Sequence, residues 1–217
     1  MKISDEVNQK GLLHEIKLHT AVDIGLTFSA MMRLFEGKSK DTLHKEIYSE
    51  LQSFFNAKTP SDFKGIHSKF CEQVMSKIRL AKKEGNASYG QIAKTLDVVL
   101  KVVIYYSHLP NCTEAKRLSK LLNVAMDRKM MDYLRRKYLN DKECQSWPKK
   151  VDDVREKKTY DQVQEAVSRY AKEYAKDMHL GELLPSQVED ILWAKVNKKF
   201  WSRTPEVIRG EKPNEKP

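Results

Sequence analysis

The chain has 217 residues and a formal net charge of +10 at pH 7, from 40 basic and 30 acidic side chains. This length allows one large domain or two small ones with a buried core that needs no disulfide bonds. The three cysteines lack metal-site spacing, the first residues lack an apolar export region, and no apolar stretch is long enough to span a membrane. We therefore expect a cytoplasmic protein that is not associated with membranes and has no cofactor.

Apolar residues recur at helical spacing in the first part of the chain. The segments 12–35 and 41–55 each predict an amphipathic helix, and Gly25 is a candidate kink in the first of them. A third helix is predicted to begin after Thr59, because a proline follows it and proline suits a first helical turn. Gly85 is the expected C-terminal cap of that helix.

The most apolar stretch of the chain is 96–106, and we expect neighbouring elements to bury it. Ser88 stands three residues before Gln91, which is the spacing of a helix-capping box, and Pro110 is a stop signal at the other end. These signals predict a helix over 88–108. A strand is the alternative, because the stretch is rich in valine and isoleucine.

The remaining elements complete an all-α prediction, a bundle of about seven helices around the central apolar helix. We expect a five-helix core over 1–139, and a linker or long loop over the polar residues 140–158. Two further helices within 159–202 would dock on the core or form a small subdomain. The proline-containing tail 203–217 has no apolar periodicity and predicts disorder.

The positive charge is concentrated in the middle of the chain. Residues 64–139 carry sixteen basic and six acidic side chains, which accounts for the whole excess. A single helix predicted from Thr113 to about Leu139 would align several of these cations along one ridge, where arginine side chains can contact successive phosphates. A solvated helix face is the alternative. The residues proposed for nucleic-acid binding are Arg117, Lys120, Arg128, Lys129, Arg135 and Arg136.

A second group of cations is interleaved with aromatic residues near the C-terminus. Aromatic rings among basic residues can stack on bases. At helical spacing, however, Trp193, Val196 and Phe200 form one stripe, which favours core packing. The residues of this segment are Trp193, Lys195, Lys198, Lys199, Phe200, Trp201 and Arg203.

The predicted central helix has a line of polar residues on one face: Lys94, Asp97, Lys101, Tyr105 and His108. If neighbouring elements cover that face, the lysine and aspartate protonation would be strongly perturbed, as it often is at catalytic sites. If the face is open to water, the line is a seam of intrahelical ion pairs. The catalytic candidates are Lys94, Asp97, Lys101 and His108. We find no Cys–His arrangement local in sequence that predicts a nucleophile.

Metal binding has one candidate ridge, because Glu15, His19 and Asp23 recur every four residues on the first predicted helix. These side chains would need ligands from another helix, and we predict no metal. The segment from His14 to His19 has one residue too many for the zinc-protease motif His-Glu-x-x-His. A helix would turn its two imidazoles about 140° apart, which excludes that class of enzyme.

Three functions follow from these patterns. The first is a basic helical protein that binds a polyanion, preferably nucleic acid, by backbone contacts that do not read sequence. The second is a protein–protein interaction module, which includes a homo-oligomer or a subunit of a larger complex. The third is an enzyme whose site lies along the central helix.

Overall fold

The computed structural model describes residues 2–197, and within 2–10 it describes only one side chain, that of Gln9. This part of the chain contains nine α-helices and no strand, which confirms the all-α fold, although about seven helices were predicted. The helices are α1 (Lys2–Phe28), α2 (Gly37–Asn56), α3 (Pro60–Met75), α4 (Tyr89–Leu100), α5 (Cys112–Leu118), α6 (Arg128–Lys137), α7 (Lys142–Ser146), α8 (Lys157–Asp177) and α9 (Pro185–Val196). No helix in the described range is long and apolar enough to cross a membrane.

The chain divides into two compact units, and the division falls inside α4. This division differs from the predicted one, because the expected linker 140–158 lies within the second unit and contains α7. The predicted disordered tail 203–217 lies outside the described residues. The first unit comprises Met1–Ala87 and Thr95–Leu121, and the second comprises Ser88–Lys94 and Leu122–Pro217.

The core of the first unit forms around the apolar stretch that the sequence indicated. Helices α1, α2 and α3 supply its other walls, with Phe54 and Phe63 in tilted ring contact at a centroid distance of 5.1 Å. Burial of these side chains is the main stabilising contribution to such a unit. The fully buried residues of the central stretch are Leu96, Val99, Leu100, Val103 and Ile104.

The central segment is a helix, not a strand, and its start is the predicted capping box. The Ser88 N–H donates to the Gln91 side-chain oxygen at 2.8 Å, and the Gln91 N–H donates to the Ser88 hydroxyl oxygen at 3.2 Å. After α4 the chain continues as a π-helix over Lys101–Tyr106. His108 follows with a φ of 54°, in the left-handed region that ends the helical geometry.

Two predicted helices of the first unit end earlier than expected. Helix α1 ends at Phe28, not at residue 35, and α3 ends at Met75, not at Gly85. The residues after α3 form a loop whose backbone pairs with the segment before α2, since the Ala81 N–H donates to the Leu34 carbonyl at 2.8 Å. Ile78 in this loop is buried without being helical, whereas Leu80 is half-buried.

The predicted helix from Thr113 to Leu139 is wrong, because α5 and α6 are separated by the non-helical segment 119–127. Side chains distant in sequence satisfy the backbone of that segment. Gln164 bonds both the N–H and the carbonyl of Val124, at 3.0 and 2.8 Å, and Glu189 accepts from the Ala125 N–H. Asp127 then caps α6 by accepting from the Met130 N–H.

The second unit is built from α6, α8 and α9, which pack on one another. Their inner faces are apolar, and Met130, Val163 and Leu192 are all buried. The predicted start of α9 at Pro185 is confirmed. Helix α8 begins at Lys157, two residues before the predicted cap Thr159. The packing of α6 against α9 brings basic residues of both helices to one cleft, described below.

Candidate functional site

The mid-chain cations do not form one row. Of the sixteen basic side chains in 64–139, ten belong to the first unit and six to the second. Among the six predicted nucleic-acid contacts, Arg117 and Lys120 lie in the first unit, and the other four lie on α6. The single ridge is therefore a wrong prediction, because it depended on the helix that the segment between α5 and α6 interrupts.

Arg117 has a structural role. Its guanidinium forms an ion pair with Glu114 at 2.7 Å and donates to the carbonyls of Ala57 and Phe55, at 2.6 and 3.2 Å. Those carbonyls belong to the C-terminal end of α2, where unsatisfied acceptors favour a cation. Arg117 therefore joins α5 to the end of α2, and each of its three nitrogens already donates a hydrogen bond.

Arg135 and Arg128 neutralise the carboxylate of Asp132. Arg135 lies 3.0 Å from it and also donates to the carbonyls of Trp147 and Pro148, while Arg128 lies 3.7 Å from it. The charge of Asp132 is thus balanced within α6. The two remaining predicted contacts on this helix are Lys129 and Arg136.

Lys129 and Arg136 line an open cleft of about 500 Å³ between α6 and α9. Both side chains belong to exposed residues, and neither forms an ion pair with any residue in the described range. A guanidinium and an ammonium in such a cleft can bind phosphate oxygens without breaking an existing pair. The residues lining the cleft are Lys129, Asp132, Tyr133, Arg136, Lys195, Val196 and Asn197.

Lys195 brings a third cation to the cleft from α9. Its ammonium lies 4.8 Å from the centre of the Tyr174 ring. Burial and the neighbouring charge of Lys137 lower the pKa of Lys195, against the opposing attraction of Asp177. A bound anion would offset both effects, because it favours the charged form of a partly desolvated amine. Lys195 belongs to the C-terminal group of cations and aromatic residues noted in the sequence. Three other cations of that group, Lys198, Lys199 and Arg203, lie outside the described residues.

The polar line on the central helix is divided between the two units. Asp97 and Lys101 are buried in the first unit, with 2% and 7% of their surface exposed, whereas Lys94 belongs to the second unit and His108 is exposed. Burial lowers the pKa of Lys94, opposed by the charges of three acidic residues of its own unit. The proposed catalytic candidates therefore do not converge on a common cavity within either unit.

Asp97 instead belongs to a buried cluster with His67 and Cys71 of α3. The His67 Nε2 lies 2.9 Å from an Asp97 carboxylate oxygen, and the Cys71 Sγ lies 3.8 Å from the His67 Nδ1. A thiol, an imidazole and a carboxylate in this order resemble a nucleophilic triad. All three are at most 2% exposed, so a substrate cannot reach them in this conformation.

This Cys–His pair was not predicted from the sequence, although its spacing indicates a shared helix face. His67 and Cys71 are four residues apart on one helix, so they share a face. Burial alone would lower the pKa of His67, but the charges of Cys71 and Asp97 and hydrogen bonds with both raise it to about 10. The cluster thus holds a buried imidazolium next to a carboxylate.

The raised pKa of His67 predicts that stability falls in mildly alkaline solution. A histidine with an unfolded pKa of about 6.5 that binds its proton more tightly when folded contributes stability below about pH 6.5. That contribution is lost as the pH rises towards about 10. We expect the free energy of unfolding, measured in urea, to decrease with pH across this range more steeply for the parent protein than for His67→Gln. Parallel curves would contradict the assignment.

The three metal candidates contact side chains of α2. Glu15 accepts a hydrogen bond from the Tyr48 hydroxyl, His19 stacks on the Tyr48 ring at 3.8 Å, and Asp23 lies 3.0 Å from the Nε2 of His44. In the described part of the chain, no group of three or more His, Cys, Asp or Glu side chains is arranged to hold a metal ion.

The cleft between α6 and α9 is therefore the strongest candidate site. It combines cations from two helices, a neutralised carboxylate and a tyrosine ring. In a comparison with known proteins, no protein-family model, no curated protein and no solved structure matches this chain, so its function has to follow from its own residues.

Proposed function

We propose that the protein binds a polyanion, with nucleic acid as the preferred ligand, in the cleft between α6 and α9. The observation that carries this proposal is the convergence of Lys129, Arg136 and Lys195 on one open cleft whose carboxylate, Asp132, is already paired with two arginines. Positive charge without a local counterion attracts phosphates and releases their condensed cations.

The spacing of the cations favours a ligand with several charges over a single phosphate. Lys129 and Arg136 are two helical turns apart, which corresponds to about 10 Å along α6. One phosphate group contacts both only if the two long side chains bend towards each other. A chain of phosphates along the cleft contacts both, with Lys195 on the facing helix.

Tyr133 favours a single strand over a duplex. Its ring lines the cleft, and an edge-to-face contact with Tyr170, at a centroid distance of 5.9 Å, supports it from the core side. A supported aromatic ring among cations can stack on an unpaired base, a contact that tolerates every sequence. We therefore propose binding that depends on phosphates and stacking, without base-specific hydrogen bonds.

Charge reversal in the cleft tests the proposal. We expect the double variant Lys129→Glu and Arg136→Glu to lose most of the affinity for a fluorescein-labelled single-stranded oligonucleotide, because repulsion replaces two phosphate contacts. Affinity would be measured by fluorescence anisotropy between about 50 and about 200 mM salt. The slope of log affinity against log salt concentration reflects the number of phosphate contacts, and the variant's slope should correspond to about two contacts fewer than the parent's.

The matched control is Lys116→Glu with Lys120→Glu, which makes the same charge change on exposed residues of the first unit. This control should retain most of the affinity and nearly the whole salt slope. Equal losses in the two double variants would mean that net charge alone drives binding, and a parent titration that stays flat at low salt would refute the function. Tighter binding to a duplex than to a single strand would remove the role given to Tyr133.

A further inference from the structure

The outer face of α1 carries large apolar side chains that no described residue of its own unit covers. The inner face packs in the core, where Leu18, Val22 and Leu26 are buried. A solvated helix normally exposes polar residues on the side opposite its core contacts. The exposed apolar residues on this helix are Leu12, Leu13, Ile16, Ile24 and Phe28, which we call the α1 stripe.

We propose that the α1 stripe is the interface of a symmetric dimer, in which two copies of α1 pack antiparallel. Exposure along the stripe is high, with 62% of Leu12 and 69% of Phe28 accessible. Its side chains present roughly 500 Å² of apolar surface, near the upper limit of the largest patch on a typical monomer. The stripes of two copies together present roughly 1,000 Å², which is the lower limit for a specific interface.

The pattern of the stripe favours a second copy of the chain as the occupant. Leu12, Ile16, Thr20, Ile24 and Phe28 follow one another at four-residue intervals. Rows of this spacing pack into the matching grooves of a second helix at a crossing angle of about 50°. The row is also symmetric about Thr20, so an antiparallel partner pairs each residue before Thr20 with an apolar residue after it. A two-fold interface requires this self-complementarity.

The two threonines within the face can be buried at little cost, and the charged residues Lys17 and Asp23 flank Thr20, three residues before and after it. The Thr20 hydroxyl donates to the Ile16 carbonyl at 2.8 Å, and the Thr27 hydroxyl donates to the Asp23 carbonyl at 2.8 Å. Both hydroxyl donors are satisfied inside the helix, so contact with a partner leaves neither hydroxyl without a hydrogen bond. The threonine methyl groups then face the partner.

Sedimentation velocity on the full chain over a range of concentrations tests the dimer. We expect reversible dimerisation of the parent and a monomer for Ile16→Lys with Ile24→Lys, because two buried ammonium groups in each copy oppose association. The control, Leu139→Lys with Leu180→Lys, changes exposed leucines of the second unit and should leave the dimer intact. A parent that remains monomeric at every concentration would overturn the proposal, as would a dimer that persists in the Ile16 and Ile24 variant.

Cysteine cross-linking tests the antiparallel arrangement. Cys112 is exposed and would be replaced by serine, whereas Cys71 and Cys144 are buried. Thr20→Cys should then form an intermolecular disulfide on mild oxidation, since facing Cα atoms at a tight helix crossing lie within disulfide range. A separate Leu12→Cys variant should not cross-link with itself, because its partner residue in the other copy is Phe28. Self-linking through Leu12→Cys would indicate a parallel pair and overturn the arrangement.

Discussion

Replacing Asp97 by asparagine is expected to lower the free energy of unfolding by about 3 to 5 kcal/mol, because it removes one partner of a buried ion pair. The Asp97 carboxylate accepts from His67 at 2.9 Å, and both side chains are at most 2% exposed. Without the carboxylate, the buried imidazolium loses its counterion, and the ring must either lose its proton or remain charged in an apolar core. Urea unfolding followed by far-ultraviolet circular dichroism measures the change.

The matched control is Asp23→Asn. Asp23 forms a carboxylate–imidazole pair of nearly the same length, 3.0 Å to His44, but its side chain is 68% exposed. Exposed pairs contribute at most about 1 kcal/mol, so this variant should unfold close to the parent. Similar losses in the free energy of unfolding for the two variants would show that burial does not make the His67–Asp97 pair more important for stability than an exposed pair.

The sequence predicts the features that depend on neighbouring residues. The Ser88–Gln91 cap and the start of α3 after Thr59 are set within three residues, and both are present as hydrogen-bonded capping boxes. The shared face of Asp97 and Lys101 also follows from helical spacing alone. These local patterns were sufficient for the fold class and for the starts of four of the nine described helices, α3, α4, α5 and α9.

What the sequence does not predict depends on contacts between distant residues. His67 lies thirty positions before Asp97, and no local pattern connects the two. In the non-helical segment between α5 and α6, Gln164 and Glu189 satisfy backbone groups that a helix would pair internally, and the helical pattern of the segment itself gives no sign of this. The cleft was therefore predicted only in part, through the cations of α6, while the contribution of Lys195 required the packing of α9.

The second large effect is expected for Gly25→Ala, because α1 passes close to the central helix at this glycine. The sequence suggested a kink at Gly25, but α1 continues through it to Phe28. A Cβ atom at this position would lie 2.7 Å from the Val99 Cα, which is backbone and cannot rotate away. The two segments would have to move apart, so we expect a loss of about 1 to 3 kcal/mol in the free energy of unfolding, measured in urea.

Gly65→Ala makes the same chemical change on α3 with the opposite expected sign. Gly65 is exposed, and a Cβ there would meet no atom within 4 Å. Alanine loses less backbone entropy than glycine on entering a helix, so this variant should gain about 0.5 to 1 kcal/mol. Both residues belong to helices of the first unit, so opposite shifts would separate the packing requirement at Val99 from helix propensity. A stabilised Gly25→Ala would mean that α1 and the central helix do not approach each other this closely.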